Sequence, residues 1–247
     1  VIVNMKYSVI LPTLNENNHI VDLINSISNV FKKKNLVYEI IIVDDNSVDG
    51  TIGTVKNIKD GYNFLQLIVR KNKKKNLAQS INDGIRQSKY ENIIWMDADF
   101  QHPPVYIGDL ISNINKYDAV ICSRFLKKSY RYFDDEKFEK NLNENQSYIY
   151  NKLCKFFLFK DISDYTSGYI CIKKKIFDNF KLKGYYGDYF VSLITYLKKK
   201  NYKIIEIPFK DEQRASGFSK TVVNINIKYI YTCFRYVITL IFNIFKK

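Results

Sequence analysis

The sequence lacks the residue patterns that hold zinc or form disulfides. It contains two histidines and four cysteines among 247 residues, and His102 has no second histidine, cysteine or carboxylate at the spacing of a zinc site. Every cysteine lies in an apolar run, without a partner at metal-ligand spacing. We therefore expect four reduced thiols in the core and a reducing compartment. The cysteines are Cys122, Cys154, Cys171 and Cys233.

Both common glycine-rich phosphate-binding motifs are also absent. The nine glycines form neither G-x-G-x-x-G nor G-x-x-x-x-G-K-[ST]. If the chain binds phosphate groups, a metal ion and cationic side chains must supply the contacts that those motifs provide. The first residues, VIVNMKYSVILPT, lack the pattern of a secretory signal peptide. We therefore expect the main body of the protein to stay in the cytosol.

Acidic residues are scarce relative to basic ones. Asp and Glu number 25 against 39 Lys and Arg, which gives a net charge of +14. Such an excess favours a polyanionic partner: nucleic acid, an anionic membrane surface or phosphorylated substrates. The basic residues are scattered rather than gathered on one recognition helix, and no RNA- or DNA-binding motif is present. We therefore expect no nucleic-acid partner.

Hydrophobic periodicity predicts alternating strands and helices over the first 125 residues. This order is typical of an α/β fold with a mostly parallel open sheet and helices on both faces. In such sheets, ligands bind beyond the carboxyl ends of the strands. The predicted strands are 7–11, 38–43, 64–69, 93–96 and 119–122, and the predicted helices are 20–31, 51–58, 77–87 and about 104–114.

Two acidic pairs follow two of these strands. Asp44 and Asp45 come directly after YEIIIV, and Asp97 and Asp99 come after IIWM. We expect all four carboxylates at one edge of the sheet, where they would repel one another unless a positive charge is present. A hard divalent ion that keeps phosphate oxygens as partners would supply it. The pattern thus favours a site for a metal-bound nucleotide diphosphate; the alternative is ordinary surface carboxylates on a loop.

Seven segments of the chain resemble, in order, those of family 2 glycosyltransferases. The similarity extends over about residues 7 to 220 and is greatest to the dolichyl-phosphate mannose synthase and polyprenyl-phosphate glycosyltransferase group. The segments are VILPTLNE (9–16), IIVDDNSVDGT (41–51), WMDADFQHPP (95–104), SRF (123–125), DYTSGYICIKKKIF (164–177), IIEIPF (204–209) and RASGFSK (214–220).

The resemblance implies a nucleotide-diphospho-sugar transferase fold of the GT-A type and a metal-dependent, inverting transfer. The donor would be a nucleotide sugar, with GDP-mannose favoured, the acceptor a polyisoprenyl phosphate, and the cofactor Mg²⁺ or Mn²⁺. Two alternatives stay open: a glycosyltransferase of the same fold that acts on a saccharide or another acceptor, and a non-catalytic subunit that binds nucleotide sugars.

The resemblance also implies roles for individual positions. Asp97, Asp99 and Gln101 match the metal and diphosphate positions, and Arg124 matches a cation that faces the acceptor phosphate. The catalytic set is Asp99, Arg124, Arg214 and Lys220, of which the last two would close over the phosphates. The nucleotide-binding positions are Pro12, Leu14, Glu16, Val43, Asp45, Asp97 and Ala98. Asp188 matches a base of relatives with hydroxyl acceptors, but a loop or helix-cap role is the alternative.

The segment 222–247 predicts an amphipathic helix that follows a catalytic domain of residues 1–221. Its polar residues recur every three or four positions and fall in one narrow stripe, whereas the rest of the circumference is apolar. Two cations near the middle argue against a membrane span. We expect a helix in the membrane interface with its cations toward lipid phosphates, or one docked on a small membrane-protein partner; packing on the domain itself is the alternative. The protein would then lie peripherally on the cytosolic face of a membrane.

Overall fold

The computed structural model describes residues 5–126, 142–184, 187–212 and 227–245. Within these ranges seven strands form one sheet in the order β3-β2-β1-β4-β6-β5-β7. Adjacent strands are parallel except where β6 lies antiparallel between β4 and β5. The strands are β1 (Lys6–Thr13), β2 (Val37–Asp44), β3 (Leu65–Val69), β4 (Asn92–Trp95), β5 (Ala119–Ser123), β6 (Ile170–Lys173) and β7 (Ile204–Pro208).

Helices α1 to α4 follow the strands as the periodicity predicts, whereas α5 and α6 were not predicted. A short 3-10 helix, Pro104–Tyr106, precedes α4, so the helix predicted at about 104–114 begins as a tighter turn. Pro103 and Pro104 lack backbone N–H donors, which favours this position at a helix start. The helices are α1 (Ile20–Lys33), α2 (Thr51–Lys59), α3 (Leu77–Gln87), α4 (Ile107–Asn113), α5 (Leu142–Phe157), α6 (Asp188–Lys199) and α7 (Ile227–Phe245).

Apolar layers cover both faces of the sheet, which confirms the predicted fold class. Ile40 and Ile42 of β2 pack with α1 on one face, whereas Ile41 and Val43 pack with α3 on the other. Strand β2 therefore appears in the sequence as a continuous apolar run rather than an alternating one. Burial of this kind stabilises by about 25 cal/mol per Å² of apolar surface.

Helix α3 lies unusually close to the sheet because Gly84 faces β1. A Cβ atom at this position would lie 2.5 Å from Cγ2 of Ile10, inside van der Waals contact. The start of α3 is fixed by Asn76, whose side chain accepts a hydrogen bond from the Gln79 N–H at 2.9 Å. Cys122, Cys154 and Cys171 are buried free thiols, as expected; the side chain of Cys233 lies outside the described residues.

Candidate active site

Two loops at the carboxyl edge of the sheet are joined by reciprocal hydrogen bonds. Asn15 donates its N–H to Ser47 Oγ at 2.8 Å and accepts the Val48 N–H at 3.0 Å. The Asn17 N–H binds Asp49 Oδ2 at 3.0 Å. Asn15 adopts the left-handed region with φ 56°, which asparagine tolerates better than most residues. The predicted nucleotide positions after β1 and β2 therefore lie side by side.

The two carboxylates at the end of β2 form hydrogen bonds within the protein itself. Asp44 is fully buried, and its carboxylate accepts the Ser47 N–H at 2.7 Å and the Ser47 hydroxyl at 2.6 Å. Burial raises the pKa of Asp44, and the bonds from Ser47 oppose that rise. Asp44 thus closes the turn after β2. This differs from the expectation that both carboxylates of the pair require an external cation.

Asp45 is paired with a buried arginine that the sequence reading missed. Arg70 Nη1 bonds to Asp45, and Arg70 Nε lies 3.1 Å from Asp83 Oδ2. The Asp45 carboxylate also accepts the Asn76 N–H at 2.8 Å and the Ser80 hydroxyl at 3.1 Å. Arg70 directly follows β3 at the same sheet edge, which is the signal that could have identified this internal counterion.

The acidic turn, residues 97–102, begins one residue after the end of β4. Asp99 is buried, and its Oδ1 accepts the Gln101 N–H at 3.0 Å. The Gln101 carbonyl accepts the Glu212 N–H at 3.2 Å, so the segment after β7 lies against the turn. Ala98 is buried in the core cluster that contains β2 and α1. The turn thus presents two carboxylates and one amide at the end of a central strand.

His102 holds the acidic turn from inside. Its Nδ1 accepts the Asp97 N–H at 3.0 Å, and its ring stacks on Tyr169 at 4.9 Å between centroids. The edge of Phe209 contacts the same ring at 5.7 Å. Burial lowers the pKa of His102 to about 4, so the imidazole is neutral at pH 7 and Nδ1 remains an acceptor.

The start of α6 contacts the end of β4. Trp95 Nε1 donates to the Tyr189 hydroxyl at 3.1 Å. Burial raises the pKa of Tyr189, and the charge of the nearby Asp97 raises it further. Tyr189 therefore stays protonated and links α6 to the strand that carries the acidic turn.

The donor set of the acidic turn fits a hard divalent cation. Asp97, Asp99 and Gln101 offer oxygen ligands, which Mg²⁺ and Mn²⁺ prefer over sulfur or imidazole. No group of three or more His, Cys, Asp or Glu side chains is placed to hold a metal within the described ranges. Mg²⁺ typically uses one or two carboxylates together with substrate phosphates and water. A sparse donor set of this kind is compatible with such an ion.

Arg124 follows β5 and is clamped by a buried carboxylate. Its Nε and Nη2 donate to the two oxygens of Asp164 at 2.9 and 2.8 Å, and Nη2 also reaches Thr166 Oγ1 at 2.8 Å. Burial alone would raise the pKa of Asp164, but the charge and hydrogen bonds of Arg124 hold it below the usual value. The guanidinium is therefore fixed in one orientation by a bidentate pair.

Glu206 of β7 fixes the backbone that carries Asp164. Its two carboxylate oxygens accept the Ser163 N–H at 2.7 Å and the Asp164 N–H at 2.8 Å. Burial raises the pKa of Glu206 to about 7. On the other side, Asn151 of α5 donates to Thr166 Oγ1 at 2.9 Å. Strand β7 and helix α5 thus both contribute to the position of Arg124.

The remaining predicted nucleotide positions are placed as follows. Pro12 lies in β1 opposite Val43 of β2, and the Val43 side chain is fully buried in the core. Leu14 is partly exposed after β1, and Glu16 lies 2.9 Å from His19 Nε2. Arg214 and Lys220 lie outside the described residues.

Asp188 is the first residue of α6 and forms an ion pair with α7. Arg235 Nη2 donates to Asp188 Oδ2 at 3.1 Å, and Asp188 is buried. The alternative to a catalytic base was a loop or helix-cap role; the ion pair instead ties α6 to α7. Asn243 of α7 is also buried and donates to Ser192 Oγ at 3.2 Å.

Helix α7 therefore packs on α6 through two described residues of its polar stripe, Arg235 and Asn243. The expectation that the cations of the stripe face lipid phosphates is wrong for Arg235, because Asp188 of α6 supplies its partner. The opposite side of α7 is apolar and exposed, and α5 beside it exposes further apolar side chains. We call these residues together the apolar surface: Ile149, Leu153, Phe156, Phe157, Val237, Ile238, Ile241, Phe242 and Phe245. Among the helices the structure describes, none is long and apolar enough to cross a bilayer.

The mixed sheet, with acidic and cationic groups at its carboxyl edge, defines the class of GT-A glycosyltransferases. More particularly, the chain belongs to glycosyl transferase family 2, whose family model matches residues 8–180.

Two solved structures with this fold are similar over most of the chain. Glucosyl-3-phosphoglycerate synthase from Mycobacterium tuberculosis, in complex with Mn²⁺, UDP and glucosyl-3-phosphoglycerate, has a TM-score of 0.70 at 14% identity and covers 97% of this chain and 80% of its own. Mannosyl-3-phosphoglycerate synthase from Rubrobacter xylanophilus has a TM-score of 0.68 at 14% identity, with 94% and 74% covered.

Curated relatives are more similar in sequence. A dolichol-phosphate mannosyltransferase of Pyrococcus furiosus is 30% identical over 217 residues, which are 87% of this chain. The chain spans 59% of the length of that relative. A dolichol-phosphate mannosyltransferase of Saccharomyces cerevisiae is 26% identical over 238 residues, or 92% of this chain and 85% of the relative.

Proposed function

We propose that the protein transfers a sugar, with mannose favoured, from a nucleotide diphosphate sugar to a polyisoprenyl phosphate. The observation that carries this proposal is the similarity to dolichol-phosphate mannosyltransferases along 87% of the chain. The acidic turn and the clamped Arg124 are the residue types that such a transfer requires. Mannose is the favoured sugar because these relatives are mannosyltransferases, and the family resemblance favours GDP-mannose as the donor.

The donor occupies the carboxyl edge of the sheet in this proposal. Its nucleoside lies along the joined loops after β1 and β2, with Asp45 held by Arg70 as a fixed acceptor for a ribose hydroxyl. Its diphosphate lies at the acidic turn. The contacting residues would be Pro12, Leu14, Glu16, Val43, Asp45, Asp97 and Ala98. Since the Val43 side chain is buried, its contact would be made by the backbone.

Asp97, Asp99 and Gln101 would hold Mg²⁺ or Mn²⁺. When bound, the ion stabilises the negative charge that develops on the departing diphosphate. The protein's own part is to fix the two carboxylates on a braced turn, so that little reorganisation accompanies bond cleavage. We assign the late cations Arg214 and Lys220 to the same phosphates on the strength of the family resemblance.

Arg124 orients the acceptor. A phosphate oxygen of the polyisoprenyl phosphate forms a bond to the anomeric carbon, while the bond from that carbon to the diphosphate breaks and the nucleoside diphosphate leaves with the electron pair. One such displacement inverts the anomeric configuration. The acceptor phosphate is anionic at neutral pH, so no strong protein base is needed. Because Asp164 fixes the guanidinium, Arg124 binds phosphate with little loss of side-chain freedom.

The apolar surface of α5 and α7 rests on the bilayer that contains the acceptor, on its cytosolic face. It joins two exposed helix faces, with Phe156, Phe242 and Phe245 exposed by 72%, 63% and 78%. Exposed aromatic and aliphatic side chains on interfacial helices bind membranes by burying apolar area. The Asn151–Thr166 bond connects α5 to the partner residues of Arg124. The acceptor headgroup would therefore arrive beside the cation that receives it.

The direct test is transfer to lipid. The protein is incubated with labelled GDP-mannose, UDP-glucose or other nucleotide sugars, polyprenyl phosphate and Mg²⁺ or Mn²⁺, and the lipid phase is extracted. We expect label in the lipid from GDP-mannose and none without the ion. Label only in an added saccharide would favour the alternative acceptor, and nucleotide binding without transfer to any acceptor would favour a non-catalytic subunit.

A further inference from the structure

His102 is a buried polar residue to which no substrate contact has been assigned. Its ring lies parallel to that of Tyr169, with 15° between the planes, and meets Phe209 edge to face. Within this apolar cluster Nδ1 accepts the N–H of Asp97 at 3.0 Å. The bond joins the two ends of the acidic turn, because Asp97 is its first residue and His102 its last.

The backbone of the turn is strained at one residue. Phe100 has φ 64°, a region that bulky L-residues rarely adopt. One internal bond, from the Gln101 N–H to Asp99 Oδ1, closes the tip of the turn. That bond uses the side chain of a residue assigned to the metal. The bond that His102 Nδ1 accepts uses a backbone amide rather than a carboxylate and is anchored in the core.

We propose that His102 is a positioning residue that fixes Asp97 relative to Asp99 and Gln101 through the Asp97 amide. It acts on the metal-binding turn without touching the ion or the substrate. This inference rests on the proposed function for the identity of the ion, but the brace itself can be measured without any ligand.

Two substitutions of His102 distinguish the effect of its hydrogen bond from the effect of its ring packing. His102→Phe keeps an aromatic ring between Tyr169 and Phe209 but has no acceptor. His102→Asn loses the ring but keeps an oxygen attached to Cγ, where histidine carries Nδ1. Tyr169→Phe is the matched control, because it removes a hydrogen bond of the same cluster, from the Tyr169 hydroxyl to the Pro103 carbonyl at 3.1 Å. That control leaves the Asp97 amide paired.

The first measurement is amide hydrogen exchange of Asp97 by NMR in the metal-free protein. We expect His102→Phe to accelerate exchange at this amide about tenfold, which corresponds to the loss of one hydrogen bond. His102→Asn and Tyr169→Phe should stay within about threefold of the wild type at the same amide. The second measurement is Mn²⁺ affinity by electron paramagnetic resonance with GDP present, which we expect to fall about tenfold in His102→Phe and to recover in His102→Asn.

The outcomes are decisive in both directions. Unchanged exchange in His102→Phe, or equal acceleration in His102→Asn, would overturn the brace and assign His102 to packing alone. Equal losses in Tyr169→Phe would do the same. If the wild-type protein binds no Mn²⁺ with any nucleotide, the proposed function fails, while exchange at Asp97 still decides whether His102 fixes the turn.

Discussion

Arg124 and Asp164 form a parallel, two-bond pair, with Nε to Oδ2 at 2.9 Å and Nη2 to Oδ1 at 2.8 Å. The Asp164 carboxylate is fully buried, and the Arg124 N–H donates to it as well. The pair holds the cation that we assign to the acceptor phosphate, so its loss should affect both folding and transfer.

We expect Asp164→Asn to lower the free energy of unfolding by about 3 kcal/mol, because it leaves a largely buried guanidinium without its charged partner. Transfer should fall as the guanidinium loses its fixed orientation. Urea denaturation followed by circular dichroism measures the first effect and the lipid-extraction assay the second. Asp161→Asn is the control, since the Asp161–Lys198 pair is exposed and its loss should cost less than about 1 kcal/mol. Equal destabilisation by the two changes would contradict the prediction.

Asp99→Asn should abolish transfer while leaving the fold intact. The amide oxygen can still accept the Gln101 N–H, but the charge that attracts a divalent ion is gone. We expect a loss of about hundredfold or more in kcat/KM. The free energy of unfolding of the variant should stay within about 1 kcal/mol of that of the wild type. Asp22→Asn on the exposed side of α1 serves as the charge-matched control, and full activity in Asp99→Asn would remove this residue from the metal site.

The buried Glu206 predicts a pH-dependent stability. Its pKa is raised by burial from 4.5 to about 7. An unfolded chain therefore releases the proton from about pH 4.5 upward, whereas the folded protein retains it until about pH 7. The protonated carboxyl of Glu206 therefore contributes its full stabilisation to the folded protein below about pH 4.5. This stabilisation is lost as the pH rises through about 7.

Glu206→Gln should flatten this part of the stability profile. The free energy of unfolding, measured in urea at about pH 5 and about pH 8, should differ less in the variant than in the wild type. Absolute stability should fall at both values, because one N–H of Ser163 or Asp164 loses its acceptor. Identical pH profiles for the two proteins would show that Glu206 does not titrate in this window.

The apolar surface can be tested without deleting α7. Deletion of 222–247 should release the protein from liposomes, but it would also uncover the core around Leu240, which is buried. Phe242→Ser changes an exposed side chain instead. We expect about tenfold weaker sedimentation with liposomes, since burial of one phenylalanine contributes about 1.5–3 kcal/mol. Val48→Ser is the control, because Val48 is 84% exposed but lies in the loop after β2. Equal binding by both variants would count against this face.

Strands β1 to β5 and helices α1 to α4 could be predicted from periodicity alone. Helix α3 begins and ends at the predicted residues, because Leu77, Ile81 and Ile85 recur at helical spacing. The antiparallel position of β6 could not be predicted, because ICIK reads as a buried strand in either direction and the order of strands depends on distant contacts.

Only part of the candidate site could be predicted, because the partners of its residues also depend on distant contacts. The positions of the acids followed from the ends of β2 and β4, but their partners did not. Arg70 and Asp83 come from different elements, and nothing in the chain places them beside Asp45 before the sheet forms. The polar stripe of α7 could be recognised from the spacing of its residues in the sequence. That spacing does not reveal which neighbouring element the stripe faces. Asp188 lies 47 residues before Arg235, so the side to which the stripe turned depended on tertiary packing.

The hydrogen bond between Trp95 and Tyr189 places an intrinsic fluorophore beside the candidate site. Trp95 is the single tryptophan of the chain and lies two residues before the acidic turn begins. Its indole N–H donates to the Tyr189 hydroxyl at the start of α6. Emission from this indole reports on one location, so a nucleotide or ion that shifts the turn would alter the spectrum without any introduced dye.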